Sequence, residues 1–331
     1  MASITDVAEA AGVGVGTVSR VLNDSPHVSE ATRARVLAAI EHLHYRPNPA
    51  ARALSSGRSA VILLLTGSLG DAATRERLVA AIEVLRRREY DVVIMEAETA
   101  TEASRIIEDH ASPQRSAGLL LIDVSLTPET TRQLSTFGVP TAIAGLVTEH
   151  LTSAGANGPD SVRLATKHVL DLGHTRIALA QRPEPPDWPR PPRRTGYLEA
   201  MAAAGLPPMV ETINDPLDIT QTAHLEALLR DPSAPTGVVA TTDGIAYAVM
   251  GAAAVVGRQA PRDISIIGCG GVESSRLLGL TTVCESLAQS GAWAAEQVLA
   301  AIDGSDEGPK HFEADLRVVR RATTGPPPRV D

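Results

Sequence analysis

The apolar residues of the first 44 positions recur with a helical period. A first helix is predicted to begin after Ser3, which together with Asp6 has the spacing of a capping box, and to end at Gly12. A second helix is predicted over 15–22 and a third after Ser29. The side chains expected to face inward from these two helices are Val18, Val21, Leu22, Val36, Leu37, Ile40 and Leu43.

From residue 60 onward the pattern changes to continuous apolar runs separated by amphipathic stretches. Runs that are apolar throughout are typical of parallel strands covered by helices on both faces. About ten strands are expected, which exceeds one comfortable sheet of this type, so two lobes are predicted. The clearest strand candidates are 60–65, 91–95, 117–122, 140–144, 175–180, 236–240 and 263–268, and the clearest helix candidates are 75–88, 161–172, 218–230 and 244–256.

Three segments have the composition of irregular structure. Residues 45–59 contain two prolines, a short helix-capable stretch and a Ser-Ser-Gly turn, which predicts a linker with an optional helix. Residues 182–192 contain six prolines and are expected to form a surface loop, and 324–331 are expected to be a frayed tail. The predicted domains are therefore 1–46, a hinge over 47–59, and a core over 60–331.

Composition narrows the class of protein. The chain is 44% hydrophobic and 21% charged, which is typical of a folded globular protein. The net charge is −9, but residues 1–60 carry six arginines against five acidic residues, so only the head is slightly basic. There is no apolar run long enough for a membrane span and no signal peptide pattern, so a cytoplasmic location without membrane contact is expected.

The sequence gives little sign of a metal site, a redox site or a catalytic site. The nine histidines are scattered, and His174 is expected at the surface or at a helix end; no metal or other cofactor is predicted. Cys269 and Cys284 end predicted strands, which leaves a redox role open, although two buried thiols are favoured. No nucleophile and base stand at the spacing of a known catalytic motif, so no enzyme activity is predicted.

The two N-terminal helices and the Gly-containing turn between them have the form of a helix-turn-helix. Their residues, with those that follow, resemble the head of the lac repressor (LacI/GalR) family over about fifty residues. The matching segments, in order, are Asp6-Val7-Ala8, Ala11-Gly12-Val13, Thr17-Val18-Ser19-Arg20-Val21-Leu22-Asn23, Val28-Ser29, Thr32-Arg33 and Tyr45-Arg46-Pro47-Asn48. The resemblance implies a sequence-specific DNA-binding regulator, more often a repressor than an activator.

The resemblance also implies roles for individual residues. Val15, Gly16 and Arg20 match base-reading positions, and an arginine there suits guanine. This chain departs from the family at Gly14, where a serine is usual, and at Gly16, which lacks a side chain to read bases. The full set of DNA-binding candidates is Val15, Gly16, Thr17, Ser19, Arg20, Asn23, His27, Asn48, Ala51 and Leu54, of which Thr17 and Ser19 could equally be capping or packing residues.

The last three of these candidates belong to a predicted hinge helix. The family's hinge helices order in pairs in the minor groove, and Leu54 matches the apolar wedge that kinks the duplex. Ala51 is small enough to let two such helices approach closely. Packing of Leu54 on the core remains the alternative.

Beyond the hinge the resemblance is weaker but continues through most of the chain. It rests on Leu164-Ala165-Thr166-Lys167-His168, Leu172-Gly173-His174-Thr175-Arg176-Ile177-Ala178, Arg193-Arg194-Thr195-Gly196-Tyr197 and Leu280-Thr281-Thr282-Val283. The fold implied is an all-α helix-turn-helix head followed by an α/β two-lobed core like type I periplasmic binding proteins, with doubly wound parallel sheets. Such sheets bind ligands at the carboxyl ends of their strands.

The implied effector-binding residues are Asp160, Arg193, Asp243 and Glu285. The family pattern is broken nearby: Thr242 replaces an asparagine, Glu285 a glutamine, and Gly268-Cys269-Gly270-Gly271 lacks two usual carboxylates. An unusual small-molecule effector and a vestigial or ligand-independent pocket therefore both remain open.

Together these features predict a homodimer that binds double-stranded operator DNA and responds to a small molecule, such as a sugar or another metabolite. Two alternatives are kept: a small-molecule sensor with a divergent pocket and no DNA function, and an α/β enzyme with an added helical head.

Overall fold

The computed structural model describes residues 2–22, 25, 27–43, 45, 59–148, 151–183, 192–213, 223–305 and 308–328. The chain divides into two compact units, Met1–Ala60 and Val61–Asp331, which we call the head and the core. Almost all of the predicted hinge over 47–59 lies outside the described residues, so its boundaries stay a prediction. None of the described helices combines the length and apolar character needed to cross a bilayer.

The head consists of three helices, α1 (Ile4–Ala11), α2 (Val15–Leu22) and α3 (Glu30–His42). The predicted capping box is present, because Ser3 Oγ accepts from the Asp6 amide at 3.3 Å and Asp6 accepts from the Ser3 amide at 2.7 Å. Gly12 ends α1 at a φ of 63°, a left-handed conformation that glycine adopts without a Cβ clash. The predicted capping of α3 by Ser29 is also confirmed.

Buried valines from all three helices form the centre of the head. Val7, Val18 and Val36 are fully buried, and the half-buried Ile40 and Leu43 pack around them. The prediction that Leu37 faces inward is wrong, since 51% of it is exposed. The inward face of α3 follows the i, i+3, i+4, i+7 spacing from Val36, and the next residue along the chain points about 100° away from it.

The core contains two sheets of six strands each, as the apolar runs predicted in outline. Lobe 1 has the strand order β11-β5-β4-β3-β1-β2, and lobe 2 has the order β12-β10-β9-β8-β6-β7. Among the pairings of these strands in the described residues, that of β12 with β10 alone is antiparallel. The strands are β1 (Val61–Thr66), β2 (Asp91–Glu96), β3 (Gly118–Ile122), β4 (Thr141–Ala144), β5 (Ser153–Gly155), β6 (Ile177–Gln181), β7 (Met209–Thr212), β8 (Gly237–Ala240), β9 (Ser265–Gly270), β10 (Thr281–Cys284), β11 (His311–Glu313) and β12 (Arg317–Val319).

Helices cover both faces of each sheet, which is why the central strands are apolar throughout. In lobe 1 they are α4 (Ala72–Arg87), α5 (Ala100–His110), α6 (Pro128–Gln133) with a short 3-10 turn, Leu134–Thr136, and α12 (Leu287–Ile302). In lobe 2 they are α7 (Gly158–Asp171), α8 (Arg194–Ala203), α9 (Ala223–Arg230), α10 (Asp243–Val255) and α11 (Glu273–Leu277).

The chain passes between the lobes at residues 156–157, 285–286 and 314–316. Each lobe is therefore assembled from separate segments: α12 and β11 return to lobe 1 after β10, and β12 then completes the sheet of lobe 2. Glu285 lies on the second of these crossovers, directly after β10, and its amide donates to Gly270 O at 3.0 Å.

Each sheet has one point where the strand order reverses. In lobe 1 it lies between β1 and β3, and in lobe 2 between β6 and β8. Ligands of open parallel sheets bind at the carboxyl ends of the strands at such points. Asp123 directly follows β3 and Thr241 directly follows β8, so these residues mark the two equivalent switch points.

Two predictions about exposure in the core are wrong. His174 is buried, with its ring nitrogens 2.9 Å from Thr236 Oγ1 and 3.0 Å from Ser265 Oγ. The segment 324–328 is not frayed at its start, because Thr324 is buried and the Gly325 amide donates to Ser265 Oγ at 3.0 Å. These hydroxyl partners come from distant parts of the sequence, so local composition gave no sign of them.

Two glycines allow helices of the core to approach closely. A Cβ on Gly291 of α12 would lie 2.2 Å from the carbonyl oxygen of Arg77 on α4. A Cβ on Gly196 of α8 would lie 1.8 Å from Pro159 O on α7. These contacts set the backbone positions of Arg77 and of the segment that carries Arg193.

We expect Gly291→Ala to destabilise the core by about 1–3 kcal/mol, because the added methyl group overlaps backbone that cannot move without separating two packed helices. The matched control is Gly251→Ala, also within a helix, where no heavy atom lies within 4 Å of the added Cβ. This control should be neutral or stabilising by about 0.5–1 kcal/mol. Urea unfolding measures the stability of both variants. Equal changes in the free energy of unfolding would contradict the close approach of α12 to α4.

Candidate functional site

In the head, α2 presents one face to solvent and packs the other into the helical core. Val15, Gly16 and Arg20 are exposed, whereas Val18 and Val21 are buried. The exposed face includes the first turn of the helix, as recognition of base edges by a helix-turn-helix requires.

The other DNA-binding candidates are placed less clearly. Thr17 and Ser19 are half-buried, and His27 is exposed in the turn before α3. The candidates Asn23, Asn48, Ala51 and Leu54 lie outside the described residues.

In the core, the structure brings Arg193 and Glu285 together. The guanidinium of Arg193 donates to both carboxylate oxygens of Glu285, at 2.6 and 3.0 Å. Ser161 Oγ, on α7, donates to the same carboxylate at 2.7 Å. Arg193 Nη1 also donates to Thr241 O at 3.3 Å, so this arginine reaches the switch point of lobe 2.

A second arginine approaches Glu285 from lobe 1. Arg77, buried on α4, lies 4.0 Å from a Glu285 oxygen and pairs with Asp123 through Nη1 at 2.9 and 3.2 Å. Its Nε donates to Ser290 Oγ at 3.2 Å, which fixes the guanidinium plane. We call the series Asp123, Arg77, Glu285 and Arg193 the interlobe ion network.

Burial and neighbouring charges shift the pKa values of Glu285 and Arg193 in opposite directions. Burial alone would raise the pKa of Glu285, but the two arginines and the Ser161 hydroxyl lower it to about 2. Burial alone would lower the pKa of Arg193, yet the Glu285 carboxylate raises it above its ordinary value. Both groups therefore stay charged around neutral pH.

Asp243 lies in a separate, fully satisfied pocket of donors. Its carboxylate accepts from the amides of Gly271 and Val272 at 2.8 and 2.9 Å, from Ser275 Oγ at 2.8 Å and from Thr282 Oγ1 at 2.5 Å. The hydrogen bonds of this carboxylate hold the end of β9 and the start of α11 in place. In this arrangement the Asp243 carboxylate binds groups of lobe 2 itself.

Asp160 lies in the first turn of α7, where it is paired with Arg163. It is partly exposed and shares no contact with the interlobe ion network among the interactions of the described residues. A cavity of about 430 Å³ lies elsewhere, at the amino ends of β4 and β5 in lobe 1. That cavity is on the edge of the sheet opposite to the ion network.

Two sequence profiles match the chain in the order that the fold shows. One described as "Bacterial regulatory proteins, lacI family" matches residues 3–48, and one described as "Periplasmic binding protein-like domain" matches residues 166–324. The chain thus carries a lacI-family helix-turn-helix domain and a periplasmic-binding-protein-like domain. The resemblance inferred from the motifs of the head, and the two-part fold that it implied, are confirmed.

Full-length similarity supports this assignment. A ribose operon repressor of Halalkalibacterium halodurans is 29% identical over 327 residues, which cover 98% of this chain and 97% of that protein. Catabolite control protein A of Priestia megaterium is 26% identical over 297 residues, which cover 88% of this chain and 89% of that protein. The crystal structure of the lac repressor dimer bound to operator and the anti-inducer ONPF has a TM-score of 0.81 at 26% identity, covering 98% of this chain and 99% of that one.

The structure explains the glycine run that departs from the lacI family pattern. A Cβ on Gly268 would lie 2.2 Å from an Asp243 oxygen, and a Cβ on Gly271 would lie 2.9 Å from the Cα of Cys284. The run therefore makes room for a buried carboxylate and for the strand that leads to Glu285. Cys269, within the run, is buried, and burial raises its pKa to about 12, which opposes thiolate chemistry. Cys284 is only half-buried, so the expectation of two fully buried thiols holds for one of them.

Two members of the network, and the serine that donates to Glu285, were missed from sequence. Asp123 directly follows a predicted buried strand, and the rule that polar residues at strand ends line the ligand site could have found it. Arg77 and Ser161 stand inside helices with no motif around them, and only the tertiary structure shows that they converge on Glu285.

The ordinary pKa of a glutamate is 4.5, and that of Glu285 in the folded core is about 2. We therefore expect the ionised carboxylate to stabilise the core fully at pH values above 4.5, and this stabilisation to be lost as the pH falls toward about 2. The difference in unfolding free energy between the unmodified chain and Glu285→Gln should therefore shrink across this range, by about 3 kcal/mol. Denaturant titrations at a series of pH values measure the difference, and the effects of other carboxylates cancel in it. A difference that stays constant with pH would show that the charge of Glu285 does not stabilise the fold.

Proposed function

We propose that this protein is a sequence-specific, operator-binding transcriptional regulator, and that a small molecule in the core modulates its binding to DNA. The observation that carries the proposal is the exposed face of α2 within a head that matches the lacI family over residues 3–48. Family members among the similar proteins are named as repressors, which favours repression.

The exposed residues of α2 are proposed to make different contacts with DNA. Arg20 can donate two parallel hydrogen bonds to guanine, and Val15 can contact a thymine methyl group. Gly16 offers no side chain, so base reading rests on fewer groups than in a helix with three reading side chains. Phosphate contacts set most of the affinity, which should fall steeply with salt.

A dimer is proposed because palindromic operators require two heads. Lobe 1 exposes apolar side chains on α4 and on the edge strand β2: Val79, Val93 and Ile94. Exposed apolar groups on an edge strand favour pairing with another chain. The similar lac repressor structure is a dimer on its operator.

The effector is proposed to be a neutral polar molecule such as a sugar. The four members of the ion network satisfy each other's charges, so they offer no net charge to a ligand. Within the described residues, the buried side-chain oxygens without a hydrogen-bond partner are Thr66 Oγ1 and Gln181 Oε1. These residues end β1 and β6, one at each switch point, where hydroxyl groups of a ligand could satisfy them.

A sensor with a divergent pocket is kept as the second candidate, because the Arg193–Glu285 pair occupies the position where a ligand would be held. In either case we propose a protein that works in the cytoplasm without catalysing a reaction.

Sequencing of DNA fragments selected by the purified full chain is the first test, since it yields the operator. We then expect Arg20→Ala to weaken binding of that operator by about 1–3 kcal/mol and to relax the preference at one base pair. Fluorescence anisotropy with operator and single-base variants measures both effects.

The control is Arg35→Ala, which removes the same charge from an exposed position on α3. It should leave the ratio between operator and variant affinities unchanged. Equal loss of discrimination in both variants, or selection of no common sequence by the unmodified chain, would refute base reading by α2.

We expect Val79→Asp to weaken dimerisation at least about tenfold, because burying an unpaired charge in an apolar interface costs at least 1–3 kcal/mol, roughly the cost of burying an unpaired polar group. Val79 is 60% exposed on α4. Leu198→Asp, at a 38% exposed position on α8 of lobe 2, is the control and should leave the dimer intact. Sedimentation equilibrium measures the dimer dissociation constant of each variant. Equal constants for the two variants would mean that Val79 lies outside the interface.

A further inference from the structure

The interlobe ion network runs from one switch point of the core to the other. It begins at Asp123, directly after β3 of lobe 1, and ends where Arg193 donates to Thr241 O, directly after β8 of lobe 2. These are the two places at which the sheets would hold a ligand between them. The chain's own side chains therefore occupy the line along which a ligand would bridge the lobes.

Glu285 is the central member, and its surroundings are those of a bound anion. Its carboxylate is 2% exposed and receives two parallel hydrogen bonds from Arg193, one hydrogen bond from Ser161 and the charge of Arg77. A two-pronged guanidinium contact is the geometry by which arginine holds carboxylate and phosphate ligands. Arg193 and Arg77 come from different lobes, so the carboxylate is shared between them.

The backbone is unusual at two points of this arrangement, at one end and next to its central member. Of the described non-glycine residues, Glu89, Asp123 and Ser286 have a positive φ, and two of these three belong to the network or directly follow Glu285. A serine at a φ of 50° is unfavourable unless its surroundings require it. The crossover is thus held in a conformation that places Glu285 between the arginines.

We propose that Glu285 is a tethered anion, a side chain that fills the anion position between Arg77 and Arg193 and holds the two lobes together without an added ligand. The position itself is an anion site for a small carboxylate, and the chain keeps it occupied. This inference deepens the proposed function, on which it rests for its regulatory meaning. An effector of this protein carries no acidic group toward Arg193.

The proposal predicts chemical rescue. Removing the side chain in Glu285→Ala leaves the buried Arg77 and the half-buried Arg193 around an empty space that accommodates a small carboxylate. We expect the melting temperature to fall by about 10 °C, because breaking a buried ion pair leaves charge uncompensated. Acetate should then raise the melting temperature of this variant in a saturable way, recovering at least half of the loss.

Three controls isolate the anion site. Acetamide, the neutral isostere of acetate, should give no rescue of Glu285→Ala. The unmodified chain should gain no saturable stabilisation from acetate, since its site is filled. Glu129→Ala, which removes an exposed ion pair with Arg132, should neither lose much stability nor respond to acetate.

Arg193 must be required for the rescue. In Glu285→Ala combined with Arg193→Met, acetate should have no effect beyond its effect on the unmodified chain. If Glu285→Ala does not fold, Arg193→Met combined with Glu285→Gln provides the second test. This neutral pair should be closer in stability to the unmodified chain than either single variant. Each single variant leaves one charged side chain without its partner, whereas the double variant removes both charges.

Rescue by acetate that depends on Arg193 supports the tethered anion. Destabilisation without rescue would overturn it, as would equal stabilisation of the unmodified chain by acetate, which would mean that the position is open. Because melting requires no DNA, this result is independent of operator binding, and a failure of the proposed function would appear only in the DNA selection.

Discussion

The contact between the guanidinium of Arg193 and the carboxylate of Glu285 is the interaction on which the arrangement of the core depends. It lies where the chain crosses from lobe 2 back to lobe 1, so the two lobes share it. A buried ion pair seldom stabilises a protein more than apolar packing would, because removing both charges from water is costly. Here the cost is offset by Ser161, Arg77 and Asp123, which satisfy the remaining hydrogen-bonding and charge requirements.

Close backbone approaches make this pairing possible. Gly291 lets α12 lie against the backbone of Arg77, and Gly196 lets α8 pack against α7 directly after Arg193. The glycines of the run after β9 leave room for Asp243 and for the end of β10. These positions hold charged side chains at defined distances by holding their backbones, and a side chain at any of them would alter the ion network indirectly.

Local features of the sequence predicted much of the fold. The capping box at Ser3, the left-handed Gly12 and the continuous apolar run of β1 each follow from the residues next to them, and the structure contains all three. The head could be assigned because its motif is short and contiguous. Positions such as His174, whose partners lie 62 and 91 residues away, could not be predicted because nothing nearby requires their burial.

The candidate site was predictable only in part for the same reason. Arg193 and Glu285 were found separately, each as a match to a family position, and neither match shows that the two side chains bind each other. In the sequence, Glu285 is visible only as an acidic residue where the family has glutamine, with no sign of what its carboxylate contacts. The structure shows that the same change creates a contact, since the carboxylate pairs with the arginine that would otherwise hold a ligand.

A network that joins the two lobes without ligand changes what an effector can accomplish. A ligand shifts an equilibrium only by the difference between its affinities for the two states. If the network already favours the closed arrangement, a molecule that binds that arrangement adds little to its population. An effective signal must instead favour separation of the lobes, which means binding more tightly to the arrangement in which Arg193 and Glu285 no longer pair. The strength of this internal ion pair therefore determines how large a difference in affinity between the two arrangements an effector needs.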